Sequence, residues 1–295
     1  METILVTGAT GTVGSRVIEQ LRGRDTQIRA AVRSPERASL PEDVEAVAFD
    51  FEEPETWGAA LKGVDKLFLI RPPAISRVGD SINPAIDAAA RVGVDHIVYL
   101  SVLGAEKNPL LPHHRIEDHL READLEWTFL RASFFMENLS EVHGEEIRDG
   151  EIVVPAGEGT TSFVAAGDIA AVAAAALTES GHEGQAYGIT GPEALTYHDV
   201  AARLSDVLDW TVTYTDPSLV QFARHSRSLD RDWSFVIVMS MLYTTARLGL
   251  AGRVEDDIED VLGRSPQSLR EWIETNVDTF DPTDTVTEGQ LEAKP

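Results

Sequence analysis

Along the first 130 positions, apolar residues recur by turns with the period of a strand and with that of an amphipathic helix. Short apolar runs predict strands at Thr3–Thr7, Gln27–Val32, Val44–Phe49, Lys66–Ile70, His96–Leu100 and Trp127–Leu130. Between them, apolar positions three and four apart predict helices at Thr12–Arg22, Glu55–Leu61, Val78–Val92 and His113–Ala123, with Gly23, Gly63 and Gly93 as C-terminal stops. Such alternation needs crossover connections between parallel strands, so the expected fold class is α/β, a doubly wound parallel sheet of Rossmann type. Beyond Ser133 the alternation loosens, with helical patterns from Gly167-Asp168 and over Leu195–Leu208, and predicts a smaller α+β C-terminal lobe. The expected division is 1–132 for the Rossmann core, 133–280 for a mixed segment that completes the core and forms a substrate lobe, and 281–295 for an acidic mobile tail.

The 295 residues, 43% of them apolar, suffice for one large core or a core with a lobe. No apolar run reaches the roughly 18 residues of a membrane span, and no basic segment followed by an apolar block opens the chain, so a cytoplasmic protein is expected. Cysteine is absent, which excludes disulfides and thiolate chemistry. The charge balance changes the picture more: 50 acidic residues face 25 basic ones, a net charge of −25. A nucleic-acid partner is excluded on that ground, because a phosphate backbone would be repelled. The basic residues include only the lysines Lys62, Lys66, Lys107 and Lys294. At about 1 M salt the screening length falls to about 3 Å and the self-repulsion largely vanishes, so a halophilic source is expected.

The segment Gly8-Ala9-Thr10-Gly11-Thr12-Val13-Gly14 joins the first strand to the first helix. Gly8 permits a tight turn, Gly11 lets backbone approach a pyrophosphate, and Gly14 lets the helix lie close on the strand. The helix N-terminus behind them offers unpaired amides and the positive end of its dipole. Gly8, Thr10, Gly11, Thr12, Val13 and Gly14 are therefore expected to bind a dinucleotide. The second strand ends in Arg33 rather than in an acidic residue. An Asp or Glu there would bond the ribose hydroxyls and repel a 2′-phosphate, whereas Arg33 can pair with one, so NADP(H) is preferred and NAD(H) remains open. Asp50 and Phe51, after the third strand, are placed to reach the adenine.

Together with Val32-Arg33-Ser34-Pro35, Tyr99 to Ala105, Thr128 to Asn138, Ala166 to Ala170 and Tyr187 to Thr196, the glycine loop resembles the NmrA-like branch of the atypical short-chain dehydrogenase/reductase superfamily over nearly the whole chain. The resemblance implies a Rossmann core with a C-terminal lobe and a nicotinamide near Ile70-Arg71-Pro72, Ser101 and Ala132 to Phe135. It also implies either an NAD(P)H-dependent reductase of quinone-like acceptors or a redox sensor that binds the cofactor without turnover.

The chain departs from the superfamily's Tyr-x-x-x-Lys pair, in which the lysine lowers the tyrosine pKa. Only Tyr243 has a basic residue four positions on, Arg247, and it lies far downstream of the expected helix. That helix reads His113-His114-Arg115-Ile116-Glu117-Asp118-His119 instead. His113 and His114, with Ser101, are the candidate catalytic groups, since histidine titrates near neutrality; a solvated helix start is the alternative. His113 with Glu117 and His114 with Asp118 share helical faces, but a third ligand is not evident and no metal is expected. Phe134 and Phe135, followed by Met136, are candidates to line a flat pocket for an aromatic acceptor or to sit in the core. The expected function is NADPH-dependent reduction of a quinone-like or other conjugated acceptor, with a non-catalytic NADP(H) sensor as the alternative. The partner is a small-molecule acceptor and a homodimer is left open.

The urea midpoint should rise steeply between about 0.1 M and about 2 M sodium chloride as repulsion is screened; a midpoint independent of salt would overturn the halophilic reading.

Overall fold

A computed structural model describes residues 1–281. Residues 282–295, nearly all of the expected tail, lie outside the described residues. The strands are β1 (Glu2–Val6), β2 (Thr26–Val32), β3 (Glu45–Ala48), β4 (Lys66–Ile70), β5 (His96–Val102), β6 (Glu126–Ala132), β7 (Phe134–Phe135), β8 (Glu151–Val153), β9 (Thr160–Val164), β10 (Gln185–Ile189), β11 (Ala194–Thr196) and β12 (Thr213–Thr215). The helices are α1 (Thr12–Leu21), α2 (Trp57–Leu61), α3 (Ile82–Val92), α4 (Pro112–Glu122), α5 (Asn138–Glu141), α6 (Gly144–Arg148), α7 (Ala166–Thr178), α8 (Tyr197–Leu208), α9 (Leu219–Ser228), α10 (Trp233–Arg247), α11 (Asp257–Leu262) and α12 (Leu269–Thr275). They fall into two compact units.

The first unit comprises Met1–Ser133, Ala166–Thr190 and Glu255–Pro266. It holds a sheet in the order β10-β6-β5-β4-β1-β2-β3, with every pairing parallel. The central strands read as continuous apolar runs because both faces are covered. Helices α2, α3 and α4 cover the face bearing Leu5, Leu67, Leu69, Ile97, Tyr99 and Phe129. On the opposite face α1 packs against α7, whose residues are apolar on every side, and α7 lies against β4, β5 and β6. The strand order reverses between β1 and β4, which opens a crevice at the carboxyl ends of those strands.

The expected doubly wound sheet is present, with three local corrections. Val78–Asp80 forms a separate 3₁₀ turn and α3 starts only at Ile82, because Ser81 takes a non-helical conformation. Pro54–Thr56 likewise forms a 3₁₀ turn ahead of α2. Gly93 and Gly63 do take positive φ beyond α3 and α2, whereas Gly23 does not, since α1 ends through Arg22 in right-handed geometry.

The second unit comprises Phe134–Ala165, Gly191–Val254 and the chain from Gln267. A three-stranded sheet β11-β9-β7 and the pair β12-β8 pack with the helices around Phe163, Tyr197, Phe222, Tyr243 and Trp272. Leu195–Leu208 is not helical throughout. Thr196 and Asp199 form a reciprocal capping box that starts α8 at Tyr197 and leaves Leu195 in β11.

Within this core, His143 bonds the Tyr243 hydroxyl through Nε2 (2.6 Å) and Glu146 through Nδ1, and the other Glu146 oxygen meets His225. Burial pushes the Glu146 carboxyl up, but hydrogen bonds and charge from His143 and His225 outweigh it and hold the group below the usual range. A carboxyl lowered in the folded state adds stability above its ordinary pKa and loses it as pH falls through the folded value. Replacing Glu146→Gln should therefore cost about 1–3 kcal/mol at pH 7. The gap from the parent should narrow in thermal melts taken at progressively lower pH through the carboxylate range.

Candidate functional site

The turn after β1 is built by backbone. Gly8 has φ +60, a left-handed conformation, and its carbonyl accepts the Gly11 N–H at 2.9 Å. A Cβ on Gly14 would stand 2.1 Å from the Gly8 carbonyl oxygen, so no other residue lets α1 start this close to the strand. Thr7, unremarkable in sequence, locks the turn to the neighbouring strand. Its hydroxyl donates to the Phe68 carbonyl at 3.0 Å and accepts the Ile70 N–H at 2.8 Å. No side-chain hydrogen bond caps α1 at Gly11, and Thr10 and Gly11 beside it are exposed, as an anion cradle at a helix start requires.

At the carboxyl end of β2, Arg33 is exposed and has no side-chain partner among the described residues. Asp50 anchors its own loop: Oδ1 accepts the Glu52 N–H at 2.8 Å and its carbonyl accepts Trp57 Nε1 at 2.6 Å. The Phe51 ring is buried edge-on against Phe49, with centroids 4.9 Å apart, so it belongs to the core and cannot lie on an adenine. This corrects the expectation for its side chain.

Beyond β4, Arg71 turns back on its own loop. Nη1 donates to the carbonyls of Pro72 (3.0 Å), Pro73 (3.2 Å) and Ile75 (2.7 Å), while Nε points at His113 Nε2 at 3.5 Å. His113, in the first turn of α4, stacks on buried Tyr99 with centroids 6.2 Å apart. Burial, helped by the Arg71 charge, pulls its pKa down to about 4. The imidazole is thus neutral at physiological pH, which corrects the expectation of a group poised near neutrality. Because Nε2 faces a donor, the ring proton is assigned to Nδ1. The Tyr99 hydroxyl is fully buried without a partner among the described residues, and burial raises its pKa.

Ser101 is only 1% exposed, and its hydroxyl donates to Glu117 at 2.6 Å. Glu117 is fully buried and held by Arg131 (2.6 and 3.1 Å) and Arg121 (2.9 Å). Burial alone would raise the Glu117 carboxyl, but the Arg131 and Ser101 bonds and both arginine charges bring it below the usual range. Ser101 and Arg131 sit opposite each other in the β5–β6 register, which sequence spacing does not reveal. The cluster uses the Ser101 hydroxyl and the Glu117 carboxylate structurally, so Ser101 is removed from the catalytic candidates. His114 is also engaged at both ring nitrogens, with the Ala105 carbonyl (2.8 Å) and Asp118 (3.1 Å).

In the second unit, Phe134 packs edge-on against Phe163 (5.6 Å) and near Tyr243 (6.2 Å), so this ring and buried Met136 are core. Phe135 is half-buried and stacks on no other ring among the described residues. Arg247 pairs with Asp216 and the Pro155 carbonyl, while the Tyr243 hydroxyl meets His143. They do not form a Tyr–Lys-like pair.

A backbone turn with no room for a Cβ at Gly14, a helix start without a side-chain cap, and Arg33, which has no side-chain partner among the described residues, fit a dinucleotide phosphate group. A family model for NAD(P)H-binding proteins matches residues 8–180. The chain belongs to this NAD(P)H-binding family. It is 36% identical to the NAD(P)H azoreductase of Xenophilus azovorans over 94% of its own length and 99% of the relative's. The structure of triphenylmethane reductase from a Citrobacter species complexed with NADP(H) superposes with a TM-score of 0.83 at 29% identity, covering 92% of this chain and 99% of that one. The NADPH-dependent quinone oxidoreductase of Escherichia coli complexed with NADPH gives 0.85 at 28% identity over 92% and 99%. The NADP-bound regulator NmrA, at 19% identity, 92% and 94% coverage and 0.71, shares the fold alone. The NAD(P)H-binding fold is thus that of the atypical dehydrogenase/reductase superfamily, as the resemblance implied.

Gly14→Ala is expected to abolish saturable NADPH binding by fluorescence titration and to lower the melting temperature by several degrees, because backbone must move to admit the methyl group.

Proposed function

We propose that this chain is an NAD(P)H-dependent oxidoreductase that prefers NADPH and reduces a quinone-like or other conjugated acceptor. The observation that carries the chemistry is the Arg71–His113 pair at the carboxyl edge of the sheet. It offers a cation and a neutral N–H donor and no acid that titrates near pH 7. Bound NAD(P)H supplies a hydride. Adding hydride to a quinone leaves negative charge on the carbonyl oxygen, which a fixed N–H from His113 and the Arg71 charge stabilise. The resulting phenolate takes its proton from water, so the missing Tyr–Lys pair is no obstacle. The relatives named above act on azo compounds, quinones and triphenylmethane dyes, all extended electron-poor π systems. Arg33 supports the NADPH preference, since a guanidinium at the end of β2 with no side-chain partner among the described residues suits a 2′-phosphate. Asp50, Ile70 and the glycine loop complete the proposed cofactor contacts.

In a quinone panel assayed with NADPH and NADH, NADPH should be preferred. Arg33→Ala should raise KM for NADPH about tenfold and leave that for NADH nearly unchanged, since one charge-assisted contact is worth about 1.4 kcal/mol. His113→Ala should lower kcat about 100-fold with little effect on NADPH binding. The parent's rate should stay level from pH 8 down to about pH 5 and change only near pH 4, where a proton on His113 Nε2 removes the acceptor that orients Arg71. Saturable NADPH binding without turnover of any acceptor would replace this reading with the sensor.

A further inference from the structure

Helix α10 is apolar on both of its faces. Val236, Met239, Tyr243 and Ala246 are buried in the second unit's core. The opposite stripe, Trp233, Ile237, Val238, Met241 and Leu242, is open, at 59%, 57%, 55%, 61% and 43% exposure. A helix that is hydrophobic all round is ordinarily enclosed, and half of this one has no cover among the described residues. The stripe runs most of a helix about 22 Å long. Exposed Leu219, Val220, Leu248, Leu250 and Val254 lie in the same segment, so 10 of the 14 strongly exposed large apolar residues among the described ones fall between positions 219 and 254.

The charge of that segment is also inverted. It contains Arg224, Arg227, Arg231, Arg247 and Arg253 but only Asp230 and Asp232, a net of about +3 by this count in a chain of −25, and no carboxylate occurs from 233 to 252. Arg224 and Arg227 have no carboxylate partner among the described residues, although acids outnumber bases twofold. Val220, Arg224 and Arg227 are spaced along one face of α9, and the Arg227 guanidinium lies 5.8 Å from the centre of the Trp233 ring, which joins that face to the α10 stripe. An apolar and aromatic stripe flanked by Arg224 and Arg227, which pair with no carboxylate among the described residues although Arg227 donates to the Arg231 carbonyl, is the composition of a helix pair that rests in a lipid interface.

We propose that the α9–α10 face docks this protein reversibly on an anionic lipid surface, with Trp233, Ile237 and Met241 entering the acyl boundary and Arg224 and Arg227 meeting the headgroup phosphates. The charges decide between lipid and a second copy. Twofold pairing of this face would set arginine rims against each other, whereas an anionic bilayer complements them. Charges elsewhere on the chain oppose the approach less as salt rises, since at physiological ionic strength the field of each falls off over about 8 Å. The inference goes beyond the proposed reaction but gives it a setting, since lipid-dissolved quinones would be acceptors at such a surface.

The test is co-sedimentation of the full chain with vesicles of phosphatidylcholine alone and with 30% phosphatidylglycerol, a composition chosen at about that level to give a strong surface charge. It is run at the lowest salt at which the near-ultraviolet circular dichroism is native, with light scattering of the protein alone. The expected result is a monomer that sediments with the anionic vesicles at least tenfold more strongly than with the zwitterionic ones. Arg224→Glu with Arg227→Glu should remove that preference, and Ile237→Ser with Met241→Ser should remove binding altogether. All four positions are at the surface, so the variants should keep the parent's melting temperature and NADPH titration, which separates this result from failure of the reductase reading. No sedimentation with anionic vesicles, an unchanged preference in the double glutamate variant, or a dimer dissociated by the serine pair would each overturn the proposal.

Discussion

The carboxyl edge of the sheet depends on the distance between the Gly8 carbonyl and the start of α1. The chain can reverse at Gly8 only in a left-handed conformation, and α1 can then begin at Thr12 only if position 14 has no side chain. Thr7 fastens the same turn to β4 through two hydrogen bonds, which sets where Ile70 and Arg71 emerge. The cradle and the Arg71 loop are thereby one mechanical assembly, and an error in the turn would be felt at both.

Burial decides which polar groups near that edge are available for chemistry. Glu117 is enclosed completely, and its charge survives because Arg131, Arg121 and the Ser101 hydroxyl surround both oxygens. Ser101 and Arg131 are thus committed to holding α4, through Glu117, on β5 and β6. His113 experiences the opposite balance: it is partly enclosed next to a cation, with no carboxylate bonded to its ring, so the neutral form wins. Two adjacent turns of one helix therefore carry a locked anion and a neutral donor, a separation of roles made entirely by surroundings.

The sheet was legible because each central strand is buried on both faces and so appears as an unbroken apolar run. Strand β4 begins and ends where its pattern predicts, at Lys66 and Ile70. Strand β10 was not legible. It is an edge strand with exposed Gln185 and Ala186 and a glycine at 188, and only its pairing with β6 makes it a strand. Boundaries failed where a local hydrogen bond beats periodicity, as at Thr196, whose capping box cuts a strand from an apparently continuous helix. The partnership of Ser101 with Arg131 was out of reach because it exists only in the strand register.

By itself the sequence determined the α/β alternation, the glycine turn and the arginine at the end of β2, since each rests on backbone sterics or on a side chain within a few residues. The tertiary structure alone decided how deeply Ser101, Phe51, Phe134 and His113 are buried and what they touch, because their enclosure is made by other elements of the fold. It also decided that one face of α10 is core and the other is open. Periodicity reports that a helix is apolar, but only the packed chain shows which side has been covered.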